Sequence, residues 1–371
     1  MNYEDELQLI IDKIDEVNDY TWAEIAEMIN YPYTIDALRK SLAGKYGGFA
    51  VYNYLKDKAI SNDDLSQLKD DLYKERVKLQ DALREKRGIL REEARYENLV
   101  ELLKSEIKNL PQIKIEEKIN NNKYFKYAIL QLSDFHAGAL CDNQWNYFNF
   151  EVLQERVESI VNKTIHYCSL HKVTDLVVEI GGDMVHGVIN VSNRVDAEED
   201  VLTSILKVSE LLSQMIAKLK ENFRIKVVTV LGNHGRLMAD KKAVTTKENF
   251  EMLIPEFLRL RLKMPIHDSK GLDFTKYEIN GNIICLCHGH NNKLNTIIED
   301  FSKLYKCVPD EIHCGHFHAY KDINDCDIMV TVNGSLMGAD DYALAIKKNT
   351  TPSQNLIIYD EDRWITQLKV N

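Results

Sequence analysis

The sequence predicts an α/β body preceded by an all-α N-terminal part. Three observations carry this. From about 124 onward, short apolar, β-branched runs alternate with loops rich in Gly, Asp, Asn and His, the pattern of buried parallel strands. In residues 1–58 the apolar positions recur at helical spacing instead. From Ser61 to Asn109 there is no proline and a single glycine, Gly88. The expected organisation is a helical domain over 1–58, a long charged helix over 59–112, a polar linker over 113–123 and the α/β body over 124–371.

In the N-terminal domain, Thr21-Trp22-Ala23-Glu24 fits a capping box, with Trp22, Ile25, Ala26 and Ile29 forming one apolar face behind it. Tyr31-Pro32-Tyr33 breaks that helix. Thr34 can cap a second one, with Ile35, Leu38 and Leu42 inward and Arg39 and Lys40 outward. A preceding helix from about Glu4 to Val17 completes a three-helix core. Two short helices across a tight turn, the second with exposed basic residues, resemble a DNA-binding helix-turn-helix. Arg39 and Lys40 are then candidate substrate contacts; the alternative is a bundle that docks on another surface.

The long helix would span roughly 70 Å at 1.5 Å per residue, with Gly88 as its natural breaking point. Its Leu stripe (Leu65, Leu68, Leu72, Leu79, Leu83) is imperfect and lacks strict heptads. It reads as an arm or spacer, open to homodimerisation; the α/β body is the other candidate dimer surface.

Composition narrows the setting. No stretch approaches the roughly 18 to 20 apolar residues of a membrane span. The acidic start, Met1 to Glu6, lacks the basic and apolar runs of a signal peptide. Seven cysteines, an odd number without C-x-x-C pairs, point to a reducing, cytoplasmic interior. The formal charge of −11 argues against a coat for non-specific nucleic-acid binding, while leaving room for a local basic patch or bound metal ions.

Five loops in the α/β body carry the chemistry. Asp134-Phe135-His136 follows the strand Tyr127–Leu132. Gly181-Gly182-Asp183-Met184-Val185-His186-Gly187 follows Leu176–Ile180. Gly232-Asn233-His234-Gly235-Arg236 follows the run from Ile225 to Leu231. His288-Gly289-His290 follows Ile283–Cys287, and Gly315-His316-Phe317-His318 follows Glu311–Cys314. Seven of the eleven histidines lie in these loops. The carboxyl ends of strands are where α/β sheets build sites, and Asp183 is the residue expected to join the five loops into one.

The order D-x-H, G-D, G-N-H, H-G-H, G-H-x-H resembles the calcineurin-like metallophosphoesterase superfamily over about 124–340. The resemblance implies two packed mixed β-sheets flanked by helices, with two metal ions at the strand ends. It implies Asp134, His136, Asp183 and His318 around one ion, and Asp183, Asn233, His288 and His316 around the other. Two ions 3.5 to 4 Å apart (a spacing of about that size) need a shared anionic ligand. Mixed imidazole and carboxylate shells suit Mn, Fe, Zn or Ni better than Mg or Ca; Mn is the expected ion. Water held between two such ions loses a proton more easily and becomes the nucleophile.

His234, next to a ligand, is expected to protonate the leaving oxygen. Many relatives carry Asp or Glu at the next position, where this chain has Gly235. Arg236 could clamp a substrate phosphate or pair with a nearby acid. His290 could contact phosphate or, the favoured reading, brace His288. Protein phosphatases of the superfamily read G-D-x-V-D-R-G and R-G-N-H-E; the arginines and following acids are absent here. DNA-repair exonucleases of the SbcD type place a histidine where His186 stands, helping to orient the phosphate. The helix-turn-helix, charged helix and catalytic body together resemble phage- or prophage-encoded metallophosphoesterases, which would place the protein in a bacterial host cell. The expected function is a two-metal DNA phosphodiesterase, endo- or exonuclease. The alternatives are a phosphomonoesterase or protein phosphatase, and a DNA-binding assembly factor with a vestigial metal site. The C-terminal strands, near Gln354–Tyr359 and Trp364–Val370, read as sheet edge.

Overall fold

The computed structural model describes residues 3–14, 18–32, 34–35, 62–113, 126–189, 197–237, 248–359 and 363–370. Packing divides the chain at Ala94/Arg95, inside the long helix.

The first unit holds α1 (Tyr3–Ile14), α2 (Trp22–Met28) and most of α3 (Asn62–Asn109). The capping box forms: Glu24 N–H donates to Thr21 Oγ1, and Thr21 N–H donates to Glu24 Oε2 at 2.6 Å. Ile10, Ile25 and Ile29 are buried together, with Trp22 and Ala26 against them. The second helix expected after Pro32, with Arg39 and Lys40, lies outside the described residues. The long helix does not break: α3 continues through Gly88.

The second unit is a four-layer α/β/β/α sandwich. Its first sheet has six strands in the order β13-β12-β1-β4-β5-β6: β1 (Tyr127–Leu132), β4 (Asp175–Ile180), β5 (Arg224–Thr229), β6 (His267–Asp268), β12 (Ser353–Tyr359) and β13 (Arg363–Lys369). The second has five in the order β10-β11-β9-β8-β7: β7 (Phe274–Ile279), β8 (Asn282–Cys287), β9 (Glu311–Cys314), β10 (Lys321–Asp325) and β11 (Ile328–Val332). Both sheets are mixed. β1, β4, β5 and β6 run parallel, β12 is reversed beside β1 and β13 is antiparallel to β12, while β8, β9 and β11 run parallel between β7 and β10. A two-stranded ribbon, β2 (Cys141–Asp142) with β3 (Tyr147–Phe148), follows the first loop.

Strand alternation builds the layers, because successive side chains point to opposite faces. Leu130, Leu132, Val178, Ile180 and Leu356 face α4 (Phe150–Leu170), α5 (Val201–Lys220) and α6 (Leu253–Leu262). Their neighbours Ile129, Val177, Val228 and Ile357 meet Ile284 and Leu286 of the other sheet. Cys285, Cys287, Ile312 and Val330 turn outward under α7 (Ile297–Tyr305). Both faces of each central strand are therefore buried, which explains the unbroken apolar runs. The end of α3 joins the body through Leu99, Leu103 and Ile107, and Arg261 donates to Pro111 O at 2.6 Å.

One expectation is corrected. Of the two C-terminal strands only β13 is a sheet edge; β12 lies between β13 and β1 and is buried along most of its length. Gln354 and Asn355 on it are fully buried because they hydrogen-bond the first loop and β11. Gln354 Oε1 accepts from Ser133 N at 2.8 Å, and Asn355 N–H donates to Asn333 Oδ1 at 3.0 Å.

Candidate metal centre

All five motif loops leave the carboxyl ends of parallel strands, and backbone bonds stitch them together. Asp134 N–H donates to Gly182 O, His136 N–H to Asp183 O, and Gly315 N–H to His288 O, at 3.0, 3.1 and 3.0 Å. The chain pays for this convergence in backbone conformation: Asp134, His136, Asp183, His316 and His318 have φ between 50° and 69°. Such left-handed non-glycine residues cost on the order of 1–3 kcal/mol each and persist only where surroundings over-determine them. Gly232 allows the closest approach. A Cβ there would collide with the backbone N and the carboxylate of Asp183.

Two ligand groups result. The ligand atoms of Asp134, His136 and His318 lie within 4.8 Å of one another, and so do those of Asp183, His288 and His316. The second group also holds Asn233, whose Oδ1 is 3.2 Å from His288 Nε2. The polar bonding inside these groups fits cations. His288 Nδ1–H donates to Gly181 O at 2.8 Å, which leaves Nε2 as the lone pair of a neutral ring. That nitrogen meets Asp183 Oδ2 at 2.9 Å as well as Asn233 Oδ1. Three acceptors converge, so either a second proton or a cation must stand among them. Without a cation, burial opposes the proton but the Asp183 charge outweighs it, and His288 is pushed up to about 10. In the other group, His136 Nε2 and His318 Nε2 are 3.1 Å apart, and His318 Nε2 is 3.3 Å from Asp134 Oδ1. Burial, then the charges of His234 and His318, holds His136 well below 6.5. For His316, burial followed by His288 brings the value down to about 4. Neutral imidazoles beside carboxylates are the donor set of Mn, Fe, Zn or Ni sites.

Asp183 lies at the junction. Its Oδ1 accepts from His234 N at 2.8 Å while Oδ2 faces His288, and its charge acts on His136 and His318. Despite full burial, which opposes ionisation, the surrounding histidines hold its carboxyl well below the ordinary value.

The remaining candidates fall into place around these groups. His234 Nδ1–H donates to His186 O at 2.8 Å, fixing the ring with Nε2 as its other nitrogen. A backbone carbonyl thus orients the imidazole, where the sequence left its orientation open. His136, His186 and His234 form a third close trio. Burial and then His234 bring His186 down to about 4. Arg236 Nε donates to Asn233 O at 3.0 Å, which places the guanidinium beside the loop after β5. His290 packs beside the rings of His288 and His316, at 5.4 and 6.1 Å, with Asn291 and Asp273 around its nitrogens.

Sequence reasoning missed two buried groups. Glu251, with Asn249, sits behind the loops after β4 and β5; burial and then Asp183 push its carboxyl up to about 7. The missing acid after His234 was the available signal. The other group lies between the sheets. His313 Nδ1 is 2.9 Å from Glu179 Oε2, its Nε2 is 3.3 Å from Glu311 Oε2, and Arg363 caps Glu311 at 2.8 Å.

The model of the family described as calcineurin-like phosphoesterase matches residues 127–348, more than half of the chain. The SPbeta prophage-derived uncharacterized protein YonJ of Bacillus subtilis (strain 168) is 26% identical over 375 residues, covering 94% of this chain and 91% of its own. Among solved structures, an archaeal phosphodiesterase is 15% identical with a TM-score of 0.35, covering 66% of this chain and 99% of its own. Yfce, a phosphoesterase from E. coli, is 17% identical with a TM-score of 0.32, covering 66% and 100%. Among the described residues no helix is long and apolar enough to cross a membrane. With its motifs gathered into two metal-ligand groups and the family model spanning the whole sandwich up to Lys348, this chain belongs to the calcineurin-like phosphoesterases, dinuclear metal-dependent hydrolases.

Proposed function

We propose that the protein is a two-metal phosphodiesterase that cleaves DNA. The observation that carries the phosphodiesterase reading is the approach of Asp183 Oδ2 and Asn233 Oδ1 to His288 Nε2, at 2.9 and 3.2 Å, with the His234 backbone N–H on the other carboxylate oxygen. Asp134, His136, Asp183 and His318 would hold one divalent ion, and Asp183, Asn233, His288 and His316 the other. Together the ions would supply an acidified water as nucleophile and offset charge on the phosphoryl oxygens. Mn is the favoured ion.

His234 then has one task for its Nε2, donating a proton to the leaving oxygen. His186 O keeps the proton on Nδ1 in the neutral ring, so the ring needs a second proton before each turnover. His186 belongs to the same close trio of histidines and would orient the phosphate. DNA is favoured over phosphoprotein by His186 standing where protein phosphatases carry an acid, and by the prophage origin of YonJ. The N-terminal module, with Arg39 and Lys40, would present the duplex, and α3 would set reach or dimerise.

A second reading, a small phosphate ester as substrate, is favoured by Asp340, whose negative charge acts on His318 and would repel a polyanion there. One panel separates the two: single-stranded, duplex and branched DNA, RNA, a phosphopeptide and bis-para-nitrophenyl phosphate, each with Mn, for wild type and His186→Ala. The DNA reading expects cleavage of at least one DNA form, with His186→Ala losing more on DNA than on the small diester. Turnover of the small diester with no cut in any nucleic acid would end it.

A further inference from the structure

Gly235 has no room for a side chain, and the surrounding atoms show why. A Cβ at 235 would collide with Asn249 Oδ1 and lie 2.7 Å from Glu251 Cγ. The space is already taken by a carboxylate from elsewhere in the chain. Glu251 is 2% exposed and spends both oxygens on backbone N–H groups. Oε1 accepts from Met184 N at 2.6 Å and Val185 N at 3.3 Å; Oε2 accepts from Gly232 N at 2.7 Å.

Those three donors are not scattered. Met184 follows Asp183, and Gly232 precedes Asn233. One side chain therefore ties the loop after β4 to the loop after β5, immediately beside two candidate ligands of the same ion. Asn249 doubles the tie, donating from Nδ2 to Gly232 O at 2.8 Å and accepting Glu251 N at 2.9 Å. Asp183 itself is held at φ 52°, a conformation that needs outside support. The bonds to Met184 and Val185 supply it from the next two residues.

We infer that Glu251 is the positioning residue of the metal pair: it fills the space beside Gly235 and holds the loops that carry Asp183 and Asn233 in the arrangement the second ion needs. The inference rests on the two-metal reading above. Glu251 touches no substrate; it acts through the two loops. Hydrogen-bonding groups behind metal ligands typically change affinity by about 10- to 100-fold when removed.

The test titrates Mn into the metal-free full chain, read by calorimetry and by electron paramagnetic resonance of the bound ion. Wild type is expected to take up two ions with the spectrum of a coupled pair. Glu251→Gln keeps the shape but sets an N–H against at least one backbone N–H. It is expected to bind the first ion and to weaken the second by about 10- to 100-fold, leaving an uncoupled spectrum at intermediate Mn. A purely structural role would lower the melting temperature while leaving both affinities of the folded protein unchanged, and that result overturns the inference. If Glu251→Gln does not fold, Asn249→Ala is read by the same two signals and the same criterion. Wild type that binds no ion would remove the two-metal reading and this inference together; wild type with two ions and an unchanged variant removes the inference alone.

Discussion

Replacing His234 by alanine tests the chemistry most directly. The ring contacts His186 O through Nδ1 at 2.8 Å and lies edge-on to His136 at 4.7 Å between ring centres. Nε2 is the nitrogen that moves the proton in the general-acid reading. General acid catalysis contributes about 10²- to 10⁴-fold, which corresponds to about 3 to 5 kcal/mol of barrier. That sum is needed only when the departing oxygen is a poor leaving group. An alkoxide, such as the sugar oxygen of a nucleotide, needs the proton, whereas para-nitrophenolate departs as the anion at neutral pH. The assay is kcat for wild type and His234→Ala on two diesters sharing one phosphoryl group, one with each leaving group. The alkyl diester should lose the full factor and the nitrophenyl diester should lose about tenfold or less, the remainder of the effect being orientation. Equal losses on both would refute the general-acid role and leave His234 as a packing or metal-shaping residue.

Two further outcomes follow from the geometry. Asp183→Ala removes the carboxylate at the junction of the two ligand groups. It should abolish turnover and also abolish the rise in melting temperature that Mn gives wild type, a rise worth about 2.7 kcal/mol at a hundred times Kd; a variant still stabilised by Mn contradicts the junction role. His313→Leu, measured by urea unfolding against pH, tests the buried bridge between the sheets. His313 is raised from 6.5 to about 9, burial opposing and Glu179 prevailing, so its contribution is full below about 6.5 and is lost as pH rises through 9. Glu311 is lowered from 4.5 to about 2, burial opposing and His313 and Arg363 prevailing, so its share is full above about 4.5 and is lost as pH falls through 2. Removing His313 should cost about 3–5 kcal/mol near pH 6, shrinking toward pH 9.5; a cost independent of pH would contradict the ionised bridge.

Much of the site could be read along the chain because its parts are local. Asp134, Asp183, Asn233, His288 and His316 each follow an apolar run, and a run of that kind places its next residues at a strand end whatever the rest of the molecule does. The strand Tyr127–Leu132 and the capping box at Thr21 were legible for the same reason, since period and spacing act over a few residues. Tertiary structure decided the rest. Glu251 belongs to no motif, and its partners are backbone N–H groups of two loops distant in sequence. β12 carries Gln354 and Asn355, polar residues that suit a buried strand only because Ser133 donates to Gln354 while Gln131 and Asn333 accept from Asn355. His313 looks like one more histidine near a loop, yet it faces Glu179 across the gap between the sheets. The orientation of His234 is set by a carbonyl at His186 that no neighbour in sequence announces. Residue type and spacing thus determined which groups stand at the strand ends. Which of their atoms stay free for an ion or a substrate depended on long-range hydrogen bonds, because a donor or acceptor is committed only once its distant partner has been folded against it.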